Sequence, residues 1–191
     1  HPLNGCLSIS GQGRHSLLLS VLLSLTGILT VPNALADDTI ETSGDVLRVV
    51  IPAAAFALTF KNNDEEGRRQ FYQSFGANVA ATLVLKELIE KDRPDGSDND
   101  ALPSGHTSMA FQGAAFIQRR YGLRSAWPAW VLATYTGWTR LDADEHDEAD
   151  VIAGAALGIV SAMLLTRRMP GIEVALLTDG QIGVQFSGRF Q

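Results

Sequence analysis

The chain has little cysteine and no excess of positive charge, and both absences exclude whole classes of protein. Its single cysteine, Cys6, allows no disulfide within the chain. The 21 acidic residues outnumber the 15 lysines and arginines, which gives a net charge of −6. Nucleic-acid binding needs a basic surface, so this composition argues against it. The sequence also lacks a cysteine pair or H-E-x-x-H motif for zinc and the glycine-containing loop that binds calcium.

Length and composition point to one domain with its own core. The chain has 191 residues, of which 46% are hydrophobic and 19% charged. These values are slightly apolar for a soluble protein and too polar for a bundle that lies wholly within a membrane. No internal repeat or low-complexity segment occurs.

Residues 1–36 have the pattern of a signal peptide. Arg14 precedes an apolar run at 16–31, and "ALA" at 34–36 matches the A-x-A cleavage pattern. Cleavage there would leave 37–191 as the mature domain, without cysteine, in the periplasm or outside the cell. An uncleaved membrane anchor is the alternative, because sixteen apolar residues nearly span a bilayer.

Apolar periodicity predicts an all-α fold, a compact bundle of about five helices. Residues 37–45 are interpreted as a polar linker, and Pro52 is expected to kink or delay the first helix. The helices are predicted at 46–60, 70–91, 104–122, 125–140 and 150–168.

Two further segments complete the fold prediction. The apolar run 151–166 would be about 24 Å long as a helix, shorter than a roughly 30 Å bilayer core. This favours a helical domain that rests on a membrane rather than one that crosses it. Alternating residues at 172–186 around Asp179-Gly180 predict a short C-terminal β-hairpin.

Three separated segments carry residues that suit an anion. Lys86 and Arg93 are followed by "PSGH" at 103–106, and Arg140 is followed by His146 and Asp150. The "PSGH" segment opens a helix, whose free backbone N–H groups favour an anion. Each segment alone is common and is usually explained by a capped helix start, a solvated helix end or a surface ion pair.

The order and spacing of the three segments, K-x6-R-P, P-S-G-H and R-x5-H-x3-D, closely resemble the signature of the type 2 phosphatidic acid phosphatase (PAP2) superfamily. That superfamily also contains bacterial class A acid phosphatases and vanadium haloperoxidases. The resemblance covers residues 86–154. Thr139 stands where the family usually has serine, and the acidic stretch "LDADE" (141–145) stands where neutral or aromatic residues are more usual. Carboxylates there would repel phosphate unless they turn outward or are neutralised.

The resemblance implies a phosphatase that works through a phosphohistidine. His146 would be the nucleophile, Asp150 would fix its tautomer, and His106 would protonate the leaving group and later activate water. It implies no metal and no cofactor. The residues implied to hold the phosphoryl oxygens are Lys86, Arg93, Ser104, Gly105 and Arg140.

The sequence therefore predicts an exported, metal-independent phosphatase that acts on phosphomonoesters or pyrophosphates of membrane lipids. Its expected partners are a phosphorylated lipid and a membrane surface. Three alternatives remain open: an acid phosphatase for soluble phosphoesters, a vanadium-dependent haloperoxidase, and a non-catalytic phosphate-binding protein. The short chain counts against the haloperoxidase, because such enzymes are typically much larger.

Overall fold

The computed structural model describes the backbone of residues 33–169, 171–176 and 182–187, and the side chains of residues 39–169. From residue 39 onward, the helices belong to one unit. The prediction of an all-α bundle of about five helices is confirmed. The described helices are α1 Asn33–Lys61, α2 Glu65–Leu88, α3 Gly105–Tyr121, α4 Leu123–Asp142 and α5 Glu148–Leu165.

The first helix is longer than predicted. Residues 37–45, interpreted as a polar linker, lie inside α1, and Pro52 lies in its interior without ending it. A proline removes one backbone hydrogen bond from a helix. Here the neighbouring backbone packs closely on α3, because a Cβ added at Gly113 would lie 2.9 Å from the nitrogen of Pro52. Tertiary packing thus supports a helix that local sequence preferences disfavour.

Helix α3 lies at the centre and packs against α2, α4 and α5. The G-x-x-x-G pattern of α5 explains how closely two of these helices approach. A Cβ added at Gly154 or Gly158 would collide with the backbone carbonyl oxygen of Ser104 or Ser108 on the α3 side. These two glycines let the α5 backbone lie directly against α3, which aligns the first turns of both helices.

Much of the described interior is polar. Between α2 and α3 the Ser108 hydroxyl donates to Asn78 Oδ1 at 2.8 Å, and Gln112 donates to the Ser74 hydroxyl at 3.0 Å. Hydrogen bonds of this kind remove most of the cost of burying polar groups. A hydrophobic core around Phe71 and Phe116 lies alongside.

Large apolar side chains, by contrast, are exposed on several helices. By length and composition, Thr39–Lys61 and Glu148–Leu165 could each cross a membrane, and only 28% and 22% of their most apolar stretches are buried. With 18 residues α5 is about 27 Å long, and its apolar part, residues 151–165, accounts for about 22 Å of that. The exposed residues include Val46, Val49 and Phe60 on α1, Trp127, Val131 and Trp138 on α4, and Ile152, Val160 and Leu164 on α5.

Two sequence predictions fall wholly or partly outside the described residues. Of the predicted leader 1–36, only the backbone of 33–36 is described, as the start of α1. Strands β1 Gly171–Leu176 and β2 Ile182–Ser187 pair antiparallel, with Leu176 opposite Ile182. The Asp179-Gly180 turn lies outside the described residues, so the predicted two-residue hairpin stays a prediction.

Candidate active site

The three predicted segments meet at one end of the bundle. The loop after α2 is joined to the loop before α5 by the backbone hydrogen bond from Asp95 N to Asp144 O, 3.1 Å long. The N-cap residue of α3, Ser104, donates its backbone N–H to Asp150 O at 3.0 Å. His146 N lies 3.2 Å from Arg140 O, which closes the turn between α4 and α5. Backbone contacts thus hold together segments that are far apart in sequence.

Lys86 and Arg93 both bind the carboxylate of Asp100, which lies outside the three motifs. Lys86 Nζ donates to Asp100 Oδ2 at 3.0 Å and also to the Asp100 backbone carbonyl, while Arg93 Nε donates to Asp100 Oδ1 at 2.8 Å. Burial acts to raise the pKa of Asp100, but the hydrogen bonds from the two cations outweigh it and hold this pKa below its usual range. Asp100 therefore stays ionised and fixes both cations.

Arg140 is completely buried and is also paired with acceptors. Its Nη1 lies 3.0 Å from Glu145 Oε2, and its Nη2 donates to the Glu41 carbonyl at 2.6 Å. Glu145 Oε2 lies 4.0 Å from Arg93 Nη1 as well. The Glu145 carboxylate thus lies between the two arginines that the sequence assigned to phosphate.

His146 is buried against Asp150, but the two are not hydrogen-bonded. His146 Nδ1 lies 3.8 Å from Asp150 Oδ2, too far for a hydrogen bond, and has no hydrogen-bond partner among the described residues. Asp150 instead accepts from Lys91 Nζ at 2.7 Å and from Asp147 N at 3.0 Å. Burial first, and then the cations Lys86 and Arg93, lower the pKa of His146. The imidazole is therefore neutral near pH 7, the form that can act as a nucleophile.

His106, on the first turn of α3, has a carboxylate partner from α1. Its Nε2 lies 2.6 Å from Asp45 Oδ1. Burial and the nearby Arg140 guanidinium lower the pKa of His106 to about 4, although Asp45 acts in the opposite direction. A neutral imidazole is the expected form of this residue near pH 7 when the site holds no substrate.

The other two predicted phosphate ligands differ in accessibility. Ser104 is completely buried, and its hydroxyl lies 3.1 Å from the Thr107 hydroxyl. Gly105 is partly exposed, and a Cβ added there would lie 3.8 Å from Lys86 Cε. The backbone at Gly105 therefore borders the space beside Lys86, and the assignment of both residues to phosphate stays a prediction.

Most of the acidic stretch before α5 turns outward. Asp142, Asp144 and Glu148 are exposed, and Asp147 caps α5 and pairs with Lys91 at 2.6 Å. Glu145 alone among these five reaches Arg140. Across residues 39–169, no group of three or more histidine, cysteine, aspartate or glutamate side chains is placed to hold a metal ion. Outward orientation and pairing with cations explain how an anion site tolerates this charge.

The chain resembles known phosphatases in sequence and in fold. The sequence profile of the PAP2 superfamily matches residues 57–172. A lipid A 4'-phosphatase of Helicobacter pylori is 29% identical over 90% of this chain and 96% of its own length. A lipid A 1-phosphatase of Porphyromonas gingivalis is 41% identical over 36% of this chain, but the match spans only 16% of that enzyme. The crystal structure of Aquifex aeolicus LpxE, 21% identical, matches 75% of this chain and 91% of its own chain with a TM-score of 0.58, which supports the fold.

The fold, the cationic site and these relatives define the class as a phosphoric monoester hydrolase. The profile match covers more than half of the chain, and the chain belongs to the PAP2 superfamily. The resemblance found in the three motifs is thereby confirmed. The role of each motif residue is a separate question.

Proposed function

We propose that this chain removes a phosphate group from a membrane glycolipid of the lipid A type through a phosphohistidine intermediate. The observation that carries the proposal is the meeting of three cations and two largely buried imidazoles at one end of the bundle. The two relatives named above are lipid A phosphatases, which supports the substrate class.

The cations are suited to a phosphoryl group. Lys86, Arg93 and Arg140 are held in place by acceptors, so little reorganisation is needed when an anion arrives. Arginine presents parallel donors that match phosphate oxygens, and preorganised positive charge supplies most of the catalysis in phosphoryl transfer. Phosphate would replace the Glu145 carboxylate on Arg140, while Asp100 keeps Lys86 and Arg93 aligned.

The chemistry proceeds in two displacements. His106 takes up a proton when the negatively charged phosphate group binds. His146 then attacks phosphorus, the P–N bond forms, and the P–O bond to the lipid breaks as His106 gives that proton to the leaving oxygen. Neutral His106 then takes a proton from water, which attacks the phosphohistidine and releases inorganic phosphate. Asp150 moves from 3.8 Å to hydrogen-bond distance of His146 Nδ1 as the imidazole becomes positively charged. Catalytic hydrogen bonds are often long before substrate binds.

A lipid substrate suits the exposed surface of the helices. Valine, leucine, isoleucine and tryptophan side chains on α1, α4 and α5 are exposed, while serine, threonine, asparagine and glutamine occupy much of the interior. Exposed apolar surface of this extent is typical of proteins that contact membranes. We infer that these helices contact lipid, which brings the site at the bundle end to the headgroup region.

Phosphate release from purified protein in detergent micelles tests the proposed function. Wild type and His146→Ala are compared on lipid A, on short-chain phosphatidic acid and on a soluble sugar phosphate, with Asp142→Asn as an exposed control. We expect release from lipid substrates by wild type and by the control, and a loss of at least about 10³-fold in His146→Ala. With substrate labelled in its phosphate group, the label bound to quenched protein is tested for stability in acid, because phosphohistidine is acid-labile.

Several results would count against parts of the proposal. Equal release by wild type and His146→Ala would refute the nucleophile, and a preference for the soluble phosphate would favour the acid-phosphatase alternative. Activity should persist in EDTA, because neither displacement in the proposed mechanism involves a metal. Vanadate-dependent halide oxidation would favour the haloperoxidase alternative.

The proposed location outside the cytoplasm has its own test. Ser97 lies exposed in the loop beside the site, and Cys6 is the chain's single cysteine. In a Cys6→Ser background, Ser97→Cys should react in intact cells with a thiol reagent that does not cross the inner membrane. Protection of the introduced thiol until the cells are lysed would place the site on the cytoplasmic side.

A further inference from the structure

Helix α1 brings a carboxylate into the site from outside the three motifs. A Cβ added at Gly44 would collide with the Thr139 hydroxyl and come within 2.6 Å of Arg140 Nη2. The absence of a side chain at 44 therefore lets the α1 backbone lie against the end of α4. The next residue, Asp45, is placed at the site by this close approach.

Asp45 has one strong partner and one weak one. Its Oδ1 lies 2.6 Å from His106 Nε2 and 3.5 Å from Arg140 Nη1. The first distance is that of a charge-assisted hydrogen bond, while the second is at the limit of hydrogen bonding. Arg140 has Glu145 and the Glu41 carbonyl as closer acceptors. Asp45 is therefore chiefly a partner of His106.

This contact assigns different tasks to the two ring nitrogens. A carboxylate at Nε2 favours a proton there, which leaves Nδ1 to exchange a proton with the substrate. When both nitrogens are protonated, the carboxylate stabilises the imidazolium. The ring is largely buried, with 16% of its side chain exposed, whereas 47% of Asp45 is exposed. Asp45 thus holds His106 from the solvent side of the site.

We propose that Asp45 is a positioning residue that orients His106 through Nε2 and stabilises the imidazolium form that protonates the leaving oxygen. This inference rests on the proposed function. In the first displacement, imidazolium Nδ1–H gives its proton to the lipid oxygen as the P–O bond breaks. Loss of this proton leaves the ring neutral, with its Nε2 proton still donated to Asp45.

The charges around His106 make such a partner necessary. Among the described residues, the charged groups that act on the ring are Arg140 from α4, and Arg48 and Asp45 from α1. Burial and the two arginines disfavour the imidazolium, and Asp45 opposes them. A bound phosphate would favour the imidazolium in the same way as Asp45 does.

Leaving-group dependence tests the proposal. Asp45→Asn and Asp45→Glu are compared with Asp142→Asn, which removes one exposed carboxylate and serves as the charge control. Two substrates are used in the same micelles: short-chain phosphatidic acid, whose alkoxide needs a proton to leave, and nitrophenyl phosphate, whose phenolate needs little help. Because Asp45 is about half exposed, the variants should fold, and their thermal transitions are measured alongside.

We expect Asp45→Asn to lower kcat for phosphatidic acid by about 10²-fold, with less than about threefold change for nitrophenyl phosphate. The alkaline limb of kcat should move to lower pH, and Asp45→Glu should recover part of the rate. Equal losses on both substrates, no loss at all, or an unmoved alkaline limb would overturn the proposal.

A second measurement does not depend on turnover. The four histidines of the chain are labelled with ¹⁵N, and the His106 signal is assigned with His106→Asn. Its titration midpoint should fall in Asp45→Asn and stay in place in Asp142→Asn. An unchanged midpoint in Asp45→Asn would overturn the ion pair itself. Absence of phosphate release from wild type would instead refute the proposed function, and with it the catalytic part of this inference.

Discussion

Glu145 lies where a phosphate group should bind, and removing its charge should tighten phosphate binding. Its Oε2 is 3.0 Å from Arg140 Nη1 and 4.0 Å from Arg93 Nη1, and only 16% of its side chain is exposed. A phosphate group held by both arginines has to displace this carboxylate. Glu145→Gln keeps the size and one hydrogen-bond acceptor but removes the negative charge.

The expected size of the effect follows from the contact that phosphate breaks. A hydrogen bond that involves a charged group contributes about 1.5–3 kcal/mol, and a bond between two opposite charges lies towards the upper end of that range. Arg140 is charged with either partner, so replacing the carboxylate by an amide moves the contact towards the lower end. The glutamine is therefore easier to displace by about 1–1.5 kcal/mol. Since each 1.4 kcal/mol corresponds to a factor of ten, inorganic phosphate should bind about tenfold more tightly to Glu145→Gln.

Competitive inhibition by inorganic phosphate measures this effect directly. The inhibition constant is determined for wild type, for Glu145→Gln and for Glu148→Gln, an exposed residue of the same acidic stretch. The control should match wild type. An inhibition constant for Glu145→Gln within twofold of wild type would show that Glu145 does not compete with phosphate. Weaker inhibition would show that it is needed to hold Arg140 in place.

Two predictions concern stability. Gly158→Ala would collide with the Ser108 carbonyl and should lower the free energy of unfolding by about 1–3 kcal/mol. Gly76→Ala, on an open helix surface, should raise it by about 0.5–1 kcal/mol. The two variants are compared by thermal unfolding in the same detergent, and equal effects would contradict the close packing. Asp64→Asn should cost about 3–5 kcal/mol, because Asp64 forms a buried two-point ion pair with Arg120. Burial acts to raise the pKa of Asp64, but Arg120 and further donors hold it below its usual range. Its contribution is therefore complete above about pH 4 and lost as pH falls through the lower folded-state pKa. A variant with the same acid sensitivity as wild type would refute this.

The motif residues could be predicted from sequence because each motif is local. "PSGH" begins a helix, and the spacing from Arg140 to Asp150 spans one turn between two helices, so neighbouring residues largely determine these conformations. The helical periodicity of the bundle is local for the same reason. The family resemblance then connected the segments, and their meeting at one end of the bundle agrees with it.

The start of α1 could not be predicted in this way. Residues 37–45 are polar and include Gly44, and local preference favours a linker for such a segment. In the folded chain Gly44 meets Thr139 and Arg140, almost a hundred residues away. Contacts at that distance in sequence leave no periodic pattern, and Asp45 is placed by one of them.

The sequence by itself determined the class of fold and the family, and it named Lys86, Arg93, Arg140, His106 and His146 as candidate site residues, because these depend on local patterns and on motif spacing. Asp150 belongs to a motif and could be named from the sequence, but only the tertiary structure decided which other carboxylates enter the site. Asp45, Asp100 and Glu145 do so, while Asp142 and Asp144 remain exposed. Carboxylates are chemically alike in sequence, and what distinguishes them is the cation or imidazole that packing brings within hydrogen-bond distance.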